Sequence, residues 1–348
     1  MLASIFHVTH TADFYDEAGK LKFKDIGTEV LANQPHIQTS LLKEHRPHLD
    51  AEQLRQANGV VVLTPQVTSR TFEGNPNLLA IGRFGVGYDS VDVAACTQAE
   101  VLIYITAGAV NRSVAEATIG WMIALSHHTA TKDRLVRQLQ WNERAKYMGR
   151  DLREHTFGAV GLGGIARETL RLLTPFGMNP PVAFDPFVTP ATAKELGVEM
   201  VPLPELMRRA DFVSIHCPLT PETRDLIGPA ELALMKPDGF LINTARGGIV
   251  NEKALYEALK DRRIAGAAID CFDVEPVVYP HPFAKLDNAL LAPHSIAWTD
   301  ELFRDIGRAV CQGMVDLSLG CRPHGAVNPE VFDRPGFKEK WSRVRVVP

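Results

Sequence analysis

Between Thr156 and Ala166 an apolar run breaks into a cluster of glycines, and a helical pattern of Ile165, Leu170, Leu172 and Leu173 follows at once. A strand, a tight turn and a helix in so short a span is the entry to a parallel α/β unit. The glycines read G-x-G-x-x-A. Gly161 lets the chain turn sharply, Gly163 has no Cβ to keep a pyrophosphate off the backbone, and Ala166 is small enough for the helix to lie close on the sheet. The helix N-terminus then presents free N–H groups and a positive dipole end to phosphates. The next apolar run, Val182–Phe184, ends in Asp185, close to the ~20 residues downstream where a ribose-binding acid is expected. A glycine-rich turn in an ordinary α/β core is the bland alternative. The strand before, the helix after and the acid at that distance argue for dinucleotide binding.

The rest of the chain alternates in the same way. Ahead of the fingerprint, short apolar runs at residues 4–8, 37–39, 59–63, 78–81 and 101–105 read as buried parallel strands, with helical patterns at 51–56 and 91–98 between them. Residues 12–26 read as loop. Ser113 with Glu116 three places on forms a capping box that would open an apolar helix through Leu125. Lys132–Met148 reads as one charged amphipathic helix, either a solvated surface helix or an arm reaching a second subunit. His127 and His128 are expected at a helix end, in solvent. After the fingerprint, runs at 211–216, 239–243, 266–270 and 289–292 complete a second sheet of six or seven strands. The long amphipathic helix 301–319 comes too late to extend that sheet and is expected to return to the first. Residues 320–348 are read as a tail draped over the surface. The fold class is thus α/β with two doubly wound parallel sheets, and the domains are 1–107 plus 299–348 for substrate and 108–298 for the dinucleotide.

With 348 residues, 45% hydrophobic and 22% charged, the chain has an ordinary globular composition, and a net charge of −4 shows no basic footprint for nucleic acid. No apolar run approaches the ~18 residues of a membrane helix, and the N-terminus lacks the pattern of a signal peptide. Five scattered cysteines without C-x-x-C suit reduced thiols in a cytoplasm; no metal site is expected.

In a doubly wound sheet ligands sit beyond the C-terminal strand ends. Three groups expected there form a chemical set. Arg246, before Gly247 and Gly248, offers a planar guanidinium suited to a carboxylate or a polarised carbonyl. Glu275 stands before Pro276, and His294 follows Pro293. A Glu beside a His stabilises the imidazolium and fixes its tautomer. Beside a nicotinamide, these residues could interconvert a 2-hydroxy acid and a 2-keto acid. Taken singly, Arg246 could be a surface ion-pair residue, Glu275 a loop carboxylate and His294 a satisfied polar residue.

The motifs Gly85–Asp89, Ser113–Glu116, Gly161–Ala166, His216–Thr223, Asn243–Val250, Asp270–Pro276 and Pro293–His294 stand in the order found in one family. Over residues 60–327 the chain resembles the D-isomer-specific 2-hydroxyacid dehydrogenases, a group that includes glycerate/hydroxypyruvate reductases and phosphoglycerate dehydrogenases. The resemblance implies a Rossmann-type NAD domain and a flavodoxin-like substrate domain. It implies that Arg246 binds substrate, that His294 is the acid/base and Glu275 its partner, and that the Val86 and Gly87 amides receive the substrate carboxylate. Trp298 is implied on the substrate side, near where hydroxypyruvate-reducing relatives carry a Trp. Cofactor contacts are implied at Gly164, Ile165, His216, Pro218, Thr223, Thr244, Ala245 and Asp270, beside Gly161, Gly163 and Asp185, together with a homodimer built through residues 112–155. Glu275 stands where formate-oxidising relatives carry Gln and so points away from that branch. Two functions stay open: an NAD-dependent oxidoreductase acting on a small D-2-hydroxy acid, or an NADH-sensing protein of the corepressor type on the same scaffold.

Overall fold

The computed structural model describes residues 5–346; Ser4, at the start of the first expected strand, lies outside them. The chain divides into two units, Met1–Val110 with Trp298–Pro348, and Asn111–Ala297.

Among its described residues the first unit carries five strands, β1 (Phe6–His10), β2 (Ile37–Leu41), β3 (Gly59–Val62), β4 (Ala80–Arg83) and β5 (Leu102–Ile105). They lie in the order β2-β1-β3-β4-β5, with every pairing parallel, which is the flavodoxin-like order. β3 is buried along its whole length, as its unbroken run of Gly and Val requires. Val60, Val62, Ile81 and Ile103 pack on one face with Leu54, Val67 and Cys96. The helix Asp300–Ser318 packs on this sheet, and the buried Tyr104 hydroxyl donates to Val310 O at 2.6 Å. Thr299 caps that helix, accepting from Leu302 N.

The second unit carries β6 (Phe157–Val160), β7 (Val182–Phe184), β8 (Glu199–Met200), β9 (Phe212–Ile215), β10 (Phe240–Asn243), β11 (Gly266–Ile269) and β12 (Ala289–Leu291). Their order is β12-β11-β10-β9-β6-β7-β8, again all parallel. This is a Rossmann-type sheet with its switch point between β6 and β9. Both faces are dry. Along β10, Leu241 enters one core while Phe240 and Ile242 enter the other, the alternation a pleated strand imposes.

Several elements differ from expectation. The helix expected to open at Ser113 begins two residues earlier and runs Asn111–Ser126; Glu116 pairs with Arg112 one turn back instead of closing a capping box. The expected helix 132–148 is a shorter one, Thr129–Arg137, followed by a 3-10 turn at Trp141–Lys146. A Schellman closure stops it: Gln140 N donates to Leu135 O and Leu139 N to Val136 O, with Leu139 at φ 57°. Leu139 occupies the position usually given to glycine, so the stop has no sequence signal. His127 is exposed as expected, but His128 is half-buried and its pKa is lowered, by burial first and then by the Lys132 charge. The tail is structured. Val331, Phe332 and Phe337 are buried, and the helix Pro335–Val344 follows. Asn328 stitches this segment to β5, accepting from Ile103 N and donating to Val101 O.

Candidate active site

In the second unit the glycine turn leads from β6 into the helix Gly164–Leu173. Gly161 has φ 93°, and a Cβ there would strike Cys217 N at 2.7 Å, so the turn tolerates only glycine. Gly163 and Gly164 are exposed, and a Cβ on Gly163 would meet nothing within 4 Å. Ile165 is half-buried in the first helical turn and Ala166 is buried against the sheet. Asp185, directly after β7, is held by the turn itself: one carboxylate oxygen accepts from Leu162 N at 2.8 Å, the other from Phe187 N at 2.8 Å. Each oxygen keeps a lone pair for a further donor.

The remaining residues expected at strand ends sit at β9, β10, β11 and β12. His216 follows β9; its Nε2 is shielded from solvent with no partner among the described residues, and burial lowers its pKa to about 4. It is therefore a neutral imidazole at pH 7. Thr223 closes the loop beyond it, donating to Pro218 O at 2.6 Å and accepting from Thr220 N at 2.7 Å. After β10, the buried Asn243 clamps the loop Thr244–Arg246: its Nδ2 donates to Arg246 O at 2.9 Å and its Oδ1 accepts from Ala245 N at 3.1 Å. Thr244 Oγ1 lies 3.5 Å from Thr118 Oγ1. The Arg246 guanidinium is half-buried and donates to Ala245 O at 2.7 Å. Gly247 lets this loop cross the next one, since a Cβ there would overlap Phe272 O.

The acid–base pair is formed. His294 Nδ1 lies 2.7 Å from Glu275 Oε2, and the other carboxylate oxygen accepts from Phe272 N at 2.8 Å. A carboxylate can only accept, so Nδ1 carries the proton and Nε2 is left as the working nitrogen. Burial pushes the Glu275 carboxyl up. The hydrogen bonds from His294 and Phe272 and the charges of His294 and Arg246 outweigh it, and the group titrates below its ordinary value. Glu275 is thus ionised at neutral pH.

Asp270 has a task that residue-by-residue reading missed. It is buried, and burial raises its pKa despite the Ile296 and Ser295 amides. Its carbonyl accepts from His294 N at 2.8 Å and its carboxylate accepts from Ser295 N at 2.9 Å and Ile296 N at 3.2 Å. His294 stands at φ 52°, a left-handed backbone that costs a non-glycine residue roughly 1–2 kcal/mol. The Asp270 bonds hold it there. Asn243 and Asp270 both end buried strands, which is the signal that could have marked them as positioning residues.

Val86 and Gly87 follow β4 in the first unit, where their amides donate to no acceptor among the described residues. Trp298 belongs to that unit as well, half-exposed against Phe23 and Phe303. A cavity of about 300 Å³ in the second unit is lined by His128, Tyr147, Arg262 and Asn288 near the N-terminal ends of β10, β11 and β12 and includes none of the site residues.

Residues 119–295 match the model of the D-isomer specific 2-hydroxyacid dehydrogenase, NAD binding domain. The chain belongs to this family. A D-3-phosphoglycerate dehydrogenase of Methanocaldococcus jannaschii is 36% identical over 84% of the chain, and the chain spans 55% of that protein. A glyoxylate reductase of Korarchaeum cryptofilum is 34% identical over 88% of the chain, and here the chain spans 94% of the relative. The chain thus covers about half of the length of the phosphoglycerate dehydrogenase and nearly all of the glyoxylate reductase. Among solved structures, a Thermus thermophilus protein superimposes with a TM-score of 0.79 at 26% identity, over 92% of this chain and all of that one. The matched family domain is an NAD-binding one, and the exposed glycine turn, the oriented Asp185 carboxylate and the unpaired His216 Nε2 fit a dinucleotide. Among the described residues no helix is long and apolar enough to cross a membrane.

Proposed function

We propose that the protein interconverts a small, polar D-2-hydroxy acid and its 2-keto acid, with glycerate/hydroxypyruvate and 3-phosphoglycerate as the first candidates. The observation that carries this reading is the 2.7 Å pair between His294 Nδ1 and Glu275 Oε2, which leaves Nε2 to exchange a proton with substrate oxygen. NAD supplies the acceptor, or NADH the donor, of the hydride at substrate C2. The chain's own residues supply the rest. In the oxidative direction His294 Nε2 takes the hydroxyl proton as the carbonyl forms; in the reductive direction it returns one to the carbonyl oxygen. Glu275 stabilises the imidazolium formed in between, and Arg246 binds the substrate through its fork of donors. The Val86 and Gly87 amides receive the substrate carboxylate, and Trp298 bounds the substrate on the first unit, Met1–Val110 with Trp298–Pro348, which serves as the substrate domain. Gly161, Gly163, Gly164 and Ile165 hold the pyrophosphate and Asp185 the adenosine ribose, with His216, Pro218, Thr223, Thr244, Ala245 and Asp270 completing the dinucleotide side.

The protein is further read as a cytoplasmic homodimer joined through residues 112–155. That segment exposes Val136, Leu139, Trp141 and Met148, with Leu139 92% and Met148 80% accessible, and apolar side chains gathered this way favour a partner surface. A mass measurement in solution at twice the chain's 38.3 kDa is expected, falling to one chain in a Leu139→Asp, Trp141→Asp variant. The activity is tested by NADH oxidation against a panel of 2-keto acids. Turnover of hydroxypyruvate, glyoxylate or a phosphorylated analogue is expected; NADH binding with no turnover across the panel would favour the sensor reading instead.

A further inference from the structure

Among the described residues, three metal-competent donors of different chemistry meet in the second unit: Cys271 Sγ, a Glu275 carboxylate oxygen and a His294 ring nitrogen, all within 4.8 Å of one another. They come from two loops, one after β11 and one after β12. The sequence spacing Cys-x-x-x-Glu, with the His nineteen places further on, resembles no zinc pattern. A buried cysteine alone is usually a small apolar filler. Here its sulfur is the inner corner of a triangle whose other corners are open, since the His294 and Glu275 side chains are 43% and 34% accessible.

We propose that Cys271, Glu275 and His294 form a site for one thiophilic divalent cation, zinc being the probe, and that its binding switches the acid–base pair off. The inhibitory half of this proposal rests on the acid–base reading of His294; the binding half does not. Zinc prefers sulfur and nitrogen with a carboxylate as third ligand, and three protein ligands leave a fourth position for water. Tetrahedral coordination at those bond lengths sets neighbouring donors about 3.3–3.6 Å apart. The His294–Glu275 contact at 2.7 Å therefore opens slightly while the wider separations close, movements that two partly exposed side chains can make. Charge balances: a thiolate, a carboxylate and a neutral imidazole offset the two positive charges.

Protons balance as well. The thiol, which now donates to Ala245 O at 3.4 Å, releases its proton to solvent when the sulfur binds the ion. The nitrogen facing Glu275 is Nδ1. An ion there displaces the Nδ1 proton, so the neutral ring carries its proton on Nε2 instead. In that tautomer Nε2 cannot accept the hydroxyl proton. Magnesium and calcium, which prefer oxygen ligands, are expected to have no such effect.

The test uses the full chain, its Cys271→Val variant, and Cys271→Ser as a second variant of nearly unchanged size should valine disturb the packing. Zinc binding is measured by competition with a chromophoric chelator, cobalt binding by its thiolate charge-transfer absorption, and activity by NADH oxidation with and without chelator. The expected result is one zinc per chain, a cobalt–thiolate band, and at least tenfold weaker binding in both variants. Zinc inhibits the wild type, chelator reverses the inhibition, and the variants keep their activity at the same zinc concentration. Equal zinc affinity in all three proteins, or cobalt bound without a thiolate band, overturns the site. Stoichiometric, Cys271-dependent binding with undiminished turnover overturns the switch, and with it the acid–base role of His294. Such binding by a protein that turns over no 2-keto acid supports the site while removing the proposed function.

Discussion

The two units are built alike and end differently. Each has an all-parallel sheet, and each sets a histidine with a shielded ring nitrogen at the C-terminal end of a strand, His10 closing β1 and His216 following β9, both with the pKa lowered to about 4 by burial. In the first unit the region around that histidine is aromatic: Phe14 packs edge-on against His10 and Phe84, Phe84 lies beside Phe303, and Phe303 stacks on Phe23 with ring centroids 4.0 Å apart. In the second unit the strand ends carry glycine turns and charged groups, Asp185, Arg246, Asp270 and the Glu275–His294 pair. The shared sheet explains why strand ends are where side chains gather; the loops decide whether what gathers there is packing or chemistry.

The sharpest way to break that contrast is at Arg246. Lysine keeps the charge but loses the planar fork. Arg246→Lys is expected to lower kcat/KM for the keto acid by about 100-fold, in the range of 2–5 kcal/mol for truncating a hydrogen-bonded charge, while NADH affinity stays within about twofold. Near wild-type kcat/KM would remove Arg246 from the site.

The paired histidines make an acid test of the likeness. An unfolded histidine takes up its proton near pH 6.5, whereas His10 and His216 do so only near 4 in the folded chain. The unfolded state therefore binds more protons between these values. Stability is fully present above about pH 6.5, declines as pH falls toward 4, and levels off below. Each histidine is expected to remove about 2 kcal/mol between pH 7 and pH 5. Denaturant unfolding at the two pH values measures it, and His10→Gln and His216→Gln should each flatten the decline. If only one substitution does so, the two histidines are not equivalent.

Asp185 tests the charged end more mildly. Asp185→Ser is expected to weaken NADH binding about tenfold, the scale of one hydrogen bond to a charged group, and to narrow the preference over NADPH, since Phe187, 93% exposed beside it, cannot pair with a 2′-phosphate. Unchanged discrimination would place the ribose elsewhere. Smallest is the aromatic end. Trp298 meets Phe23 and Phe303 edge-on and is 55% exposed, so Trp298→Ala should cost about 1 kcal/mol, read as a drop of a few degrees in Tm. No drop would show that these edge contacts add nothing to stability.

Strands buried on both faces were legible because their Val, Ile and Leu runs are short and bounded by glycine or polar residues, as β3 and β9 are. The glycine turn was legible because each glycine answers a separate steric demand. What escaped was set by tertiary packing. The stop at Leu139 uses a left-handed leucine, so no glycine announces it. The helix Pro335–Val344 follows a basic, proline-containing stretch, and only the burial of Val331, Phe332 and Phe337 shows why it is ordered. Within the site, Arg246, Glu275 and His294 were legible as chemical types. Asn243, Asp270 and Cys271 were not singled out for what they do, because their work is done through backbone amides, carbonyls and neighbouring loops that only the fold brings near.

The proposed reaction depends above all on His294 as the proton-carrying group. The direct measurement compares keto-acid reduction and NADH binding in wild type, His294→Ala and Glu275→Gln, with free imidazole added to each. His294→Ala is expected to lose about 10²–10⁴-fold in kcat, to bind NADH within about twofold of wild type, and to regain part of its turnover with imidazole; Glu275→Gln is expected to lose less and to gain nothing from imidazole. A His294→Ala enzyme that binds NADH normally and turns over within about tenfold of wild type, short of the 10²–10⁴-fold such a group supplies, would contradict the account.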